Sequence, residues 1–234
     1  QAVIPLDGRL QIEADRCRGC GICATACPVG AIPYRQSTPQ DLLVMLRLEI
    51  DAAVEAGVIS PAIAFLDRNT AQSLRTRFES LVPELIPVEV QDVAAVGMEI
   101  WLNALVYGAG SVLQAVGPAT PAETVQELSA QQATADLLVK GLGYEATRIE
   151  IVGPGNGSLL RLFPGRLLPI ETAVTVFHPF TDKRRLIHQA LEILHRHSPH
   201  PGKAVDLPVG SPFGTVILNR DICTLCSACA EICP

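Results

Sequence analysis

Aromatic residues are scarce in this sequence: 4% of 234 residues, with one Trp, three Tyr and six Phe. A core built from it rests on aliphatic side chains, and Trp101 with its few aromatic companions belongs most simply inside. Lysine is rarer still, present only at Lys140, Lys183 and Lys203, and no window forms a basic tract. With Lys+Arg 18 against Asp+Glu 24, the net charge is −6 and the pI near 5.4. That balance excludes the basic footprint of a nucleic-acid binder, so nucleic acid is not an expected partner. No basic stretch followed by an apolar one opens the sequence, which begins at Gln1. The longest uncharged run contains Ile100 to Ala119, about the length of a membrane span. Gly108, Gly110, Gly117 and Pro118 interrupt it, and it contains Asn103 and Gln114. It therefore reads as a buried helix followed by a buried strand, with no membrane span. A mean hydropathy of +0.30 argues against disorder, and the length suits one medium or two small domains.

Cysteine is missing from the whole stretch between Cys27 and Cys223, and the eight that occur sit in two groups at either side. Both groups follow the spacing C-x2-C-x2-C-x3-C-P, written CRGCGICATACP from Cys17 and CTLCSACAEICP from Cys223. One constant offset carries Cys17, Cys20, Cys23 and Cys27 onto Cys223, Cys226, Cys229 and Cys233, and Pro28 onto Pro234. The same offset carries Asp15 onto Asp221, and Leu10 and Ile12 onto Val216 and Leu218. The chain contains an internal repeat.

The spacing has a physical reason. Three thiolates two residues apart let a tightly turned loop wrap three corners of a cubane, with backbone N–H groups facing the sulfides. The fourth cysteine lies in a following helical turn and points away; in two-cluster ferredoxins it ligates the other cluster. Gly19 and Gly21 permit close backbone approach to an inorganic core in the first loop, whereas the second has Leu225 and Ser227 there. The two loops therefore need not hold their clusters at one potential. A disulfide scaffold would be smaller and would spread its cysteines, and zinc takes pairs with a longer gap between them. A [4Fe–4S] cubane suits the spacing better than [2Fe–2S], whose plant-type pattern starts with a four-residue gap.

On these residues the sequence resembles the bacterial-type 2[4Fe–4S] ferredoxins and the polyferredoxins built from them, over residues 9–36 and 214–234. The resemblance implies low-potential one-electron transfer, with Cys17, Cys20, Cys23, Cys27, Cys223, Cys226, Cys229 and Cys233 as cluster ligands. The departure is the long segment between the motifs. Two arrangements remain open. In a single split ferredoxin, Cys17, Cys20 and Cys23 share a cluster with Cys233, and Cys223, Cys226 and Cys229 share one with Cys27. Ala31–Tyr34 and Thr215–Leu218 are then neighbouring strands. In the other arrangement, each motif belongs to a separate module. Gln1–Pro5 looks like the stretch that follows a Cys-Pro, as Gly30–Tyr34 follows Pro28, and the sequence stops at Cys233-Pro234. The expectation is a fragment of a longer polyferredoxin.

The expected organisation is a ferredoxin-type motif over 1–36, a cysteine-free α/β domain over 37–200, and a linker with the second motif over 201–234. Residues 37–57 read as an amphipathic helix with Thr38 as N-cap, Pro39 at its first position and Gly57 ending it. Leu42, Leu46, Ile50 and Val54 would face inward; Arg47, Asp51 and Glu55 would face solvent. Strands are expected at Ala62–Leu66, Ile86–Val90, Ser111–Val116, Arg148–Val152 and Ala173–Phe177. Helices are expected at Thr70–Leu81, Ala94–Tyr107, Pro121–Gly141 (behind a Thr120-x-x-Glu123 capping box) and Asp182–His197. This alternation gives an α/β fold with a parallel, doubly wound sheet inserted between two cluster-binding motifs.

Gly153-Pro154-Gly155-Asn156-Gly157 follows an expected strand but matches neither G-x-G-x-x-G nor a P-loop, so a plain turn is the simpler reading. His188, His195, His197 and His200 read as helix-end and surface histidines rather than a metal site. No nucleophile–base or paired-carboxylate arrangement stands out, so no catalytic residue is assigned. Val88–Gly117, with its Tyr107-Gly108-Ala109-Gly110 turn, is weakly similar to the delta subunit of methyl-viologen-type hydrogenases; that family's iron–sulfur cysteines are missing here. The expected function is electron relay between a redox donor and acceptor, of the hydrogenase or formate dehydrogenase kind, in a reducing cytoplasm. The alternatives are a redox-enzyme subunit whose α/β domain binds a flavin or nucleotide, and a mainly structural adaptor.

Overall fold

The computed structural model describes residues 2–72, 84–144, 148–153, 182–200, 204–214 and 217–232. The chain begins with an antiparallel hairpin, β1 (Val3–Leu6) and β2 (Arg9–Ile12), turned at Asp7 and Gly8, both at positive φ. The short helix α1 (Ile22–Ala26) lies inside the first cysteine motif. Four strands then form one parallel sheet: β3 (Ala62–Asp67), β4 (Leu85–Val90), β5 (Ser111–Ala115) and β6 (Ile149–Val152), in the order β4-β3-β5-β6. All four coincide with expected strands to within a residue at either end. The chain passes from β3 to β4 on one side and then to β5 on the other, so the sheet has a topological switch point between β3 and β5.

Helix α2 (Pro39–Glu55) has the expected start: Thr38 Oγ1 accepts from the Asp41 backbone N–H at 3.2 Å, and Pro39 opens the first turn. Its buried residues are Leu42, Leu43, Leu46 and Ile50, while Val54 is exposed, because the inward face stops one turn before the helix does. Arg47 pairs with Asp51 at 2.7 Å and also lies over the Tyr107 ring, so this stripe is partly a packing surface. The expected helix from Ala94 is broken: Val93–Ala95 is a 3-10 turn, and α3 (Met98–Val106) starts after Gly97. Helix α4 (Ala122–Gly141) has Pro121 at its N-cap and no side-chain cap, so the Thr120–Glu123 box does not form; Thr120 sits one residue too early. Helix α5 (Lys183–Arg196) is capped by Asp182, which accepts from the Arg185 N–H at 2.9 Å. Residues 68–72 are helical, but most of the expected helix Thr70–Leu81, the expected strand Ala173–Phe177 and Pro154–Gly157 lie outside the described residues.

Helices α2, α3, α4 and α5 share one aliphatic core with Ile63, Phe65, Val88 and Val112 of the sheet. The opposite face carries a second buried group of Ala62, Ala64, Leu85, Leu113 and Val152. Alternate residues of β3 and β5 thus point into two buried layers, as a parallel sheet requires. The uncharged run divides as expected: every residue of α3 and of β5 is buried. No helix among the described residues is long and apolar enough to cross a membrane.

One buried polar side chain fixes the crossover from β4 to α3. Gln114 of β5 accepts from the Trp101 indole N–H at 2.7 Å and donates to the carbonyls of Val93, at 2.7 Å, and Val96, at 3.1 Å. Replacing it strands the buried indole N–H and the Val96 carbonyl, each costing about 1–3 kcal/mol, and leaves the Val93 carbonyl only the Val96 N–H at 3.1 Å. The Gln114→Leu variant is expected to lose at least about 2 kcal/mol of unfolding free energy. Urea denaturation followed by the fluorescence of Trp101, the single tryptophan, checks it; an unchanged midpoint would show that the pin is dispensable.

Candidate iron–sulfur site

The first cysteine loop runs from Cys17 into α1 and out through Cys27. Its backbone turns at Gly19 (φ +69) and Gly21 (φ +84), both in the left-handed region. At Gly19 an added Cβ would meet nothing within 4 Å, so this glycine serves conformation alone. At Gly21 it would come within 2.7 Å of the Ala95 Cβ and 3.1 Å of the Tyr34 ring. Gly21 is therefore also required by the close packing of the loop against the α/β portion and Tyr34.

Backbone donors point at the thiols. The Gly19 N–H donates to Cys17 Sγ at 3.4 Å, and the Ala31 N–H donates to Cys27 Sγ at 3.2 Å. Burial pushes the Cys27 thiol up, but hydrogen bonds from Val29, Ala31, Ile32 and Gly30 outweigh it and hold the thiol below its ordinary range. Tyr34 closes the loop by donating to the Gly19 carbonyl at 3.1 Å. It is half-buried against the loop rather than part of the core. Residues 31–34, expected as a strand, form none; the Ala31 N–H is spent on the Cys27 thiol.

Helix α1 is seated on the α/β portion through a buried polar node. Thr25, 3% exposed, donates its hydroxyl to the Ala94 carbonyl at 2.7 Å. The Thr25 carbonyl accepts from Gln131 Nε2 at 3.0 Å and from Lys183 Nζ at 2.5 Å. The Ala24 carbonyl accepts from Lys183 Nζ at 3.1 Å, and the Cys23 carbonyl from the Cys27 N–H at 3.2 Å. Three carbonyls at the C-terminal end of α1 are thereby satisfied, two of them by groups far away in sequence. Lys183 Nζ lies 3.5 Å from Glu99 Oε2, and both side chains are buried. Burial pushes the Glu99 carboxyl up, an effect that Lys183 only partly offsets.

The second loop repeats the backbone of the first without its glycines. Leu225 (φ +55) and Ser227 (φ +60) take the left-handed conformations of Gly19 and Gly21, and α6 (Ala228–Ile232) falls at the repeat equivalent of α1. Its cysteines 223, 226 and 229 carry free thiols like the first four; Cys233 lies outside the described residues. The Cys226 thiol is held below its ordinary range by hydrogen bonds from the Ala228 backbone and the Thr224 side chain. Glu231 stands where Thr25 stands in the first loop, and Ile222 and Leu225 are exposed, so among the described residues the seat of α1 has no counterpart here.

Among the described residues no three His, Cys, Asp or Glu side chains are placed to hold a single metal ion. In a cubane each cysteine meets a different iron, so convergence on one point is not what such a loop provides. His188 packs edge-on against Phe213, and His197 Nδ1 lies 2.9 Å from the Ile193 carbonyl. A run of thiols with backbone N–H groups aimed at sulfur is a donor set that fits an iron–sulfur cluster.

Residues 10–32 match the family of 4Fe-4S binding domains. That segment is a ferredoxin-type domain, which implies a [4Fe–4S] cluster and electron transfer; its cysteines stand at 17, 20, 23 and 27. No curated protein and no solved structure matches the chain.

The seat makes a sharp contrast between two glycines. Gly19→Ala is expected to cost about 1 kcal/mol through φ alone, and Gly21→Ala about 2 kcal/mol or more, since its methyl also meets Ala95. Hydrogen exchange at the Thr25 amide reads the difference, and equal effects would dismiss the contact. In the second loop, Leu225→Gly and Ser227→Gly remove non-glycine residues from the left-handed region and should each slow exchange there by up to about fivefold.

Proposed function

We propose that this protein is an iron–sulfur electron carrier that relays single low-potential electrons through [4Fe–4S] clusters, with the α/β portion spacing the cluster motifs or docking redox partners. The observation that carries this reading is the pairing of the C-x2-C-x2-C-x3-C-P loop with backbone N–H groups aimed at its sulfurs. Cys17, Cys20, Cys23 and Cys27, and Cys223, Cys226, Cys229 and Cys233, are the ligands of this proposal. When bound, the clusters supply one-electron chemistry; the chain contributes N–H···S bonds, burial and local charge, which set potential, and makes no bonds itself.

The motif-flanked organisation, 1–36, 37–200 and 201–234, belongs to the same proposal. Within it, the two motifs serve separate ferredoxin modules, as in a polyferredoxin. The β1–β2 hairpin supports this, because it gives the strand before Cys17 a partner, Val3–Leu6, that precedes the first motif in the chain. Donor and acceptor are redox proteins met in a transient encounter, and the weak similarity of Val88–Gly117 to a hydrogenase subunit favours partners of the hydrogenase or formate dehydrogenase kind. Free thiolates in such loops suit a reducing compartment, so we place the protein in the cytoplasm.

Iron, acid-labile sulfide and EPR after anaerobic reconstitution test the reading. A brown protein that gives a reduced-cluster signal with dithionite, without coupling between clusters, is the expected result. About eight iron and eight sulfide per chain, with two clusters in magnetic contact, would replace separate modules by the split pairing. Bound zinc and no chromophore would end the electron-transfer reading.

A further inference from the structure

Lys183 is one of three lysines in the chain and the first residue of α5, yet its ammonium is buried. It is not there for the sheet. It donates to the carbonyls of Ala24 and Thr25, two of the three residues between Cys23 and Cys27. On the far side of Cys27, a Cβ on Gly30 would come within 3.1 Å of the Lys183 Cβ. Lys183 therefore touches the cysteine loop both before and after Cys27. Among the described residues its only buried counter-charge is Glu99, in the first turn of α3, at 3.5 Å. Glu99 Oε2 accepts no hydrogen bond among the described residues, so the carboxylate balances the ammonium through charge with little geometric support.

A buried charge costs several kcal/mol to desolvate and is retained only with good partners. Thr25 could be seated by neutral groups alone, as Gln131 already does from the other side. A cation at this place has a further consequence: it favours any negative charge added to the loop, and it does so in a low-dielectric surround where screening is weak. We propose that the buried Lys183–Glu99 pair sets the reduction potential of the first cluster, Lys183 raising it and Glu99 restraining it, so that the α/β portion acts as an electrostatic tuner for the cysteine loop it carries. Lys183 and Glu99 are positioning residues, since neither touches a thiol. The step they bias is the entry of one electron from a low-potential donor protein, with no bond made or broken and no proton transferred. The inference rests on the cluster-binding reading above.

The second loop supplies an internal control. It has Glu231 at the position of Thr25 and is seated on no buried cation among the described residues, so its potential should not respond to these substitutions.

The test is an EPR-monitored redox titration of reconstituted full-length protein, with dithionite as reductant. Lys183→Met should lower the midpoint of one cluster, so that its reduced-to-oxidised ratio at the wild-type midpoint falls about threefold or more. Glu99→Gln should move the same midpoint upward. Lys183→Arg, which keeps the charge, should stay near wild type. The double variant Lys183→Met/Glu99→Leu replaces the pair by apolar groups and should lie closer to wild type than Lys183→Met alone. Thermal unfolding of the apo-proteins separates seating from tuning: a purely structural role would lower apo-stability or iron retention and leave the midpoint unmoved. Should Lys183→Met not fold, the upward shift in Glu99→Gln and the unshifted Lys183→Arg still decide the case. Unmoved midpoints in Glu99→Gln, or in a folded Lys183→Met, overturn the tuning while leaving the carrier reading intact. Wild-type protein that takes up no iron overturns both.

Discussion

Helix α1 has five residues, far fewer than a helix needs to persist alone in water. Its shape must be imposed from outside, and the hydrogen bonds to Ala24 and Thr25 impose it. Thr25 holds the Ala94 carbonyl, Gln131 reaches in from α4, and Lys183 reaches in from α5. Cys23 and Cys27 sit at either side of this seat, so their spacing in space depends on three contacts that involve no cysteine. The seat in turn depends on Gln114, which fixes the 3-10 crossover carrying Ala94. From the sheet to the thiols, the order of support runs through buried polar side chains rather than through apolar area.

The placement follows from the topology of the sheet. In open parallel sheets the loops at the carboxyl ends of the strands form the working face, most of all beside a switch point. The crossover Val93–Ala95 leaves the carboxyl end of β4, and α3 and α5 begin near it. The partial positive charge at the starts of α3 and α5 then lies near the partial negative charge at the end of α1, a favourable arrangement of backbone dipoles. The cysteine loop uses the face where many such domains bind a small ligand.

The repeat shows how one backbone can be kept for different reasons. In the first loop Gly21 is held by shape, because Ala95 and Tyr34 crowd it. In the second, Ser227 and Leu225 take the same left-handed conformations while exposed. A left-handed non-glycine residue costs about 1–2 kcal/mol, so the conformation itself must serve the loop. Two equal turns with unequal seats make the two motifs physically different, as their unlike residues at 19 and 225, and at 21 and 227, already suggested.

Cysteine spacing, the repeat, the four parallel strands and the start of α2 were legible in the sequence, because each is set by residues close together in the chain. Thr38 and Pro39 start a helix wherever the chain puts them, and alternation or continuous apolar runs mark strands locally. Glu99 and Lys183 were not legible: one bounds the longest uncharged run and the other is a rare lysine, but nothing in either position names its partner. Tyr34 looked like a strand residue, and the Thr120–Glu123 pattern looked like a cap, until the surrounding chain took other bonds. By itself the sequence determined which residues can hold a cluster and what backbone they need. Only the tertiary structure decided which buried charges stand beside the first loop, because Thr25, Gln131 and Lys183 meet across more than a hundred residues, and long-range pairs leave no periodic mark on the chain.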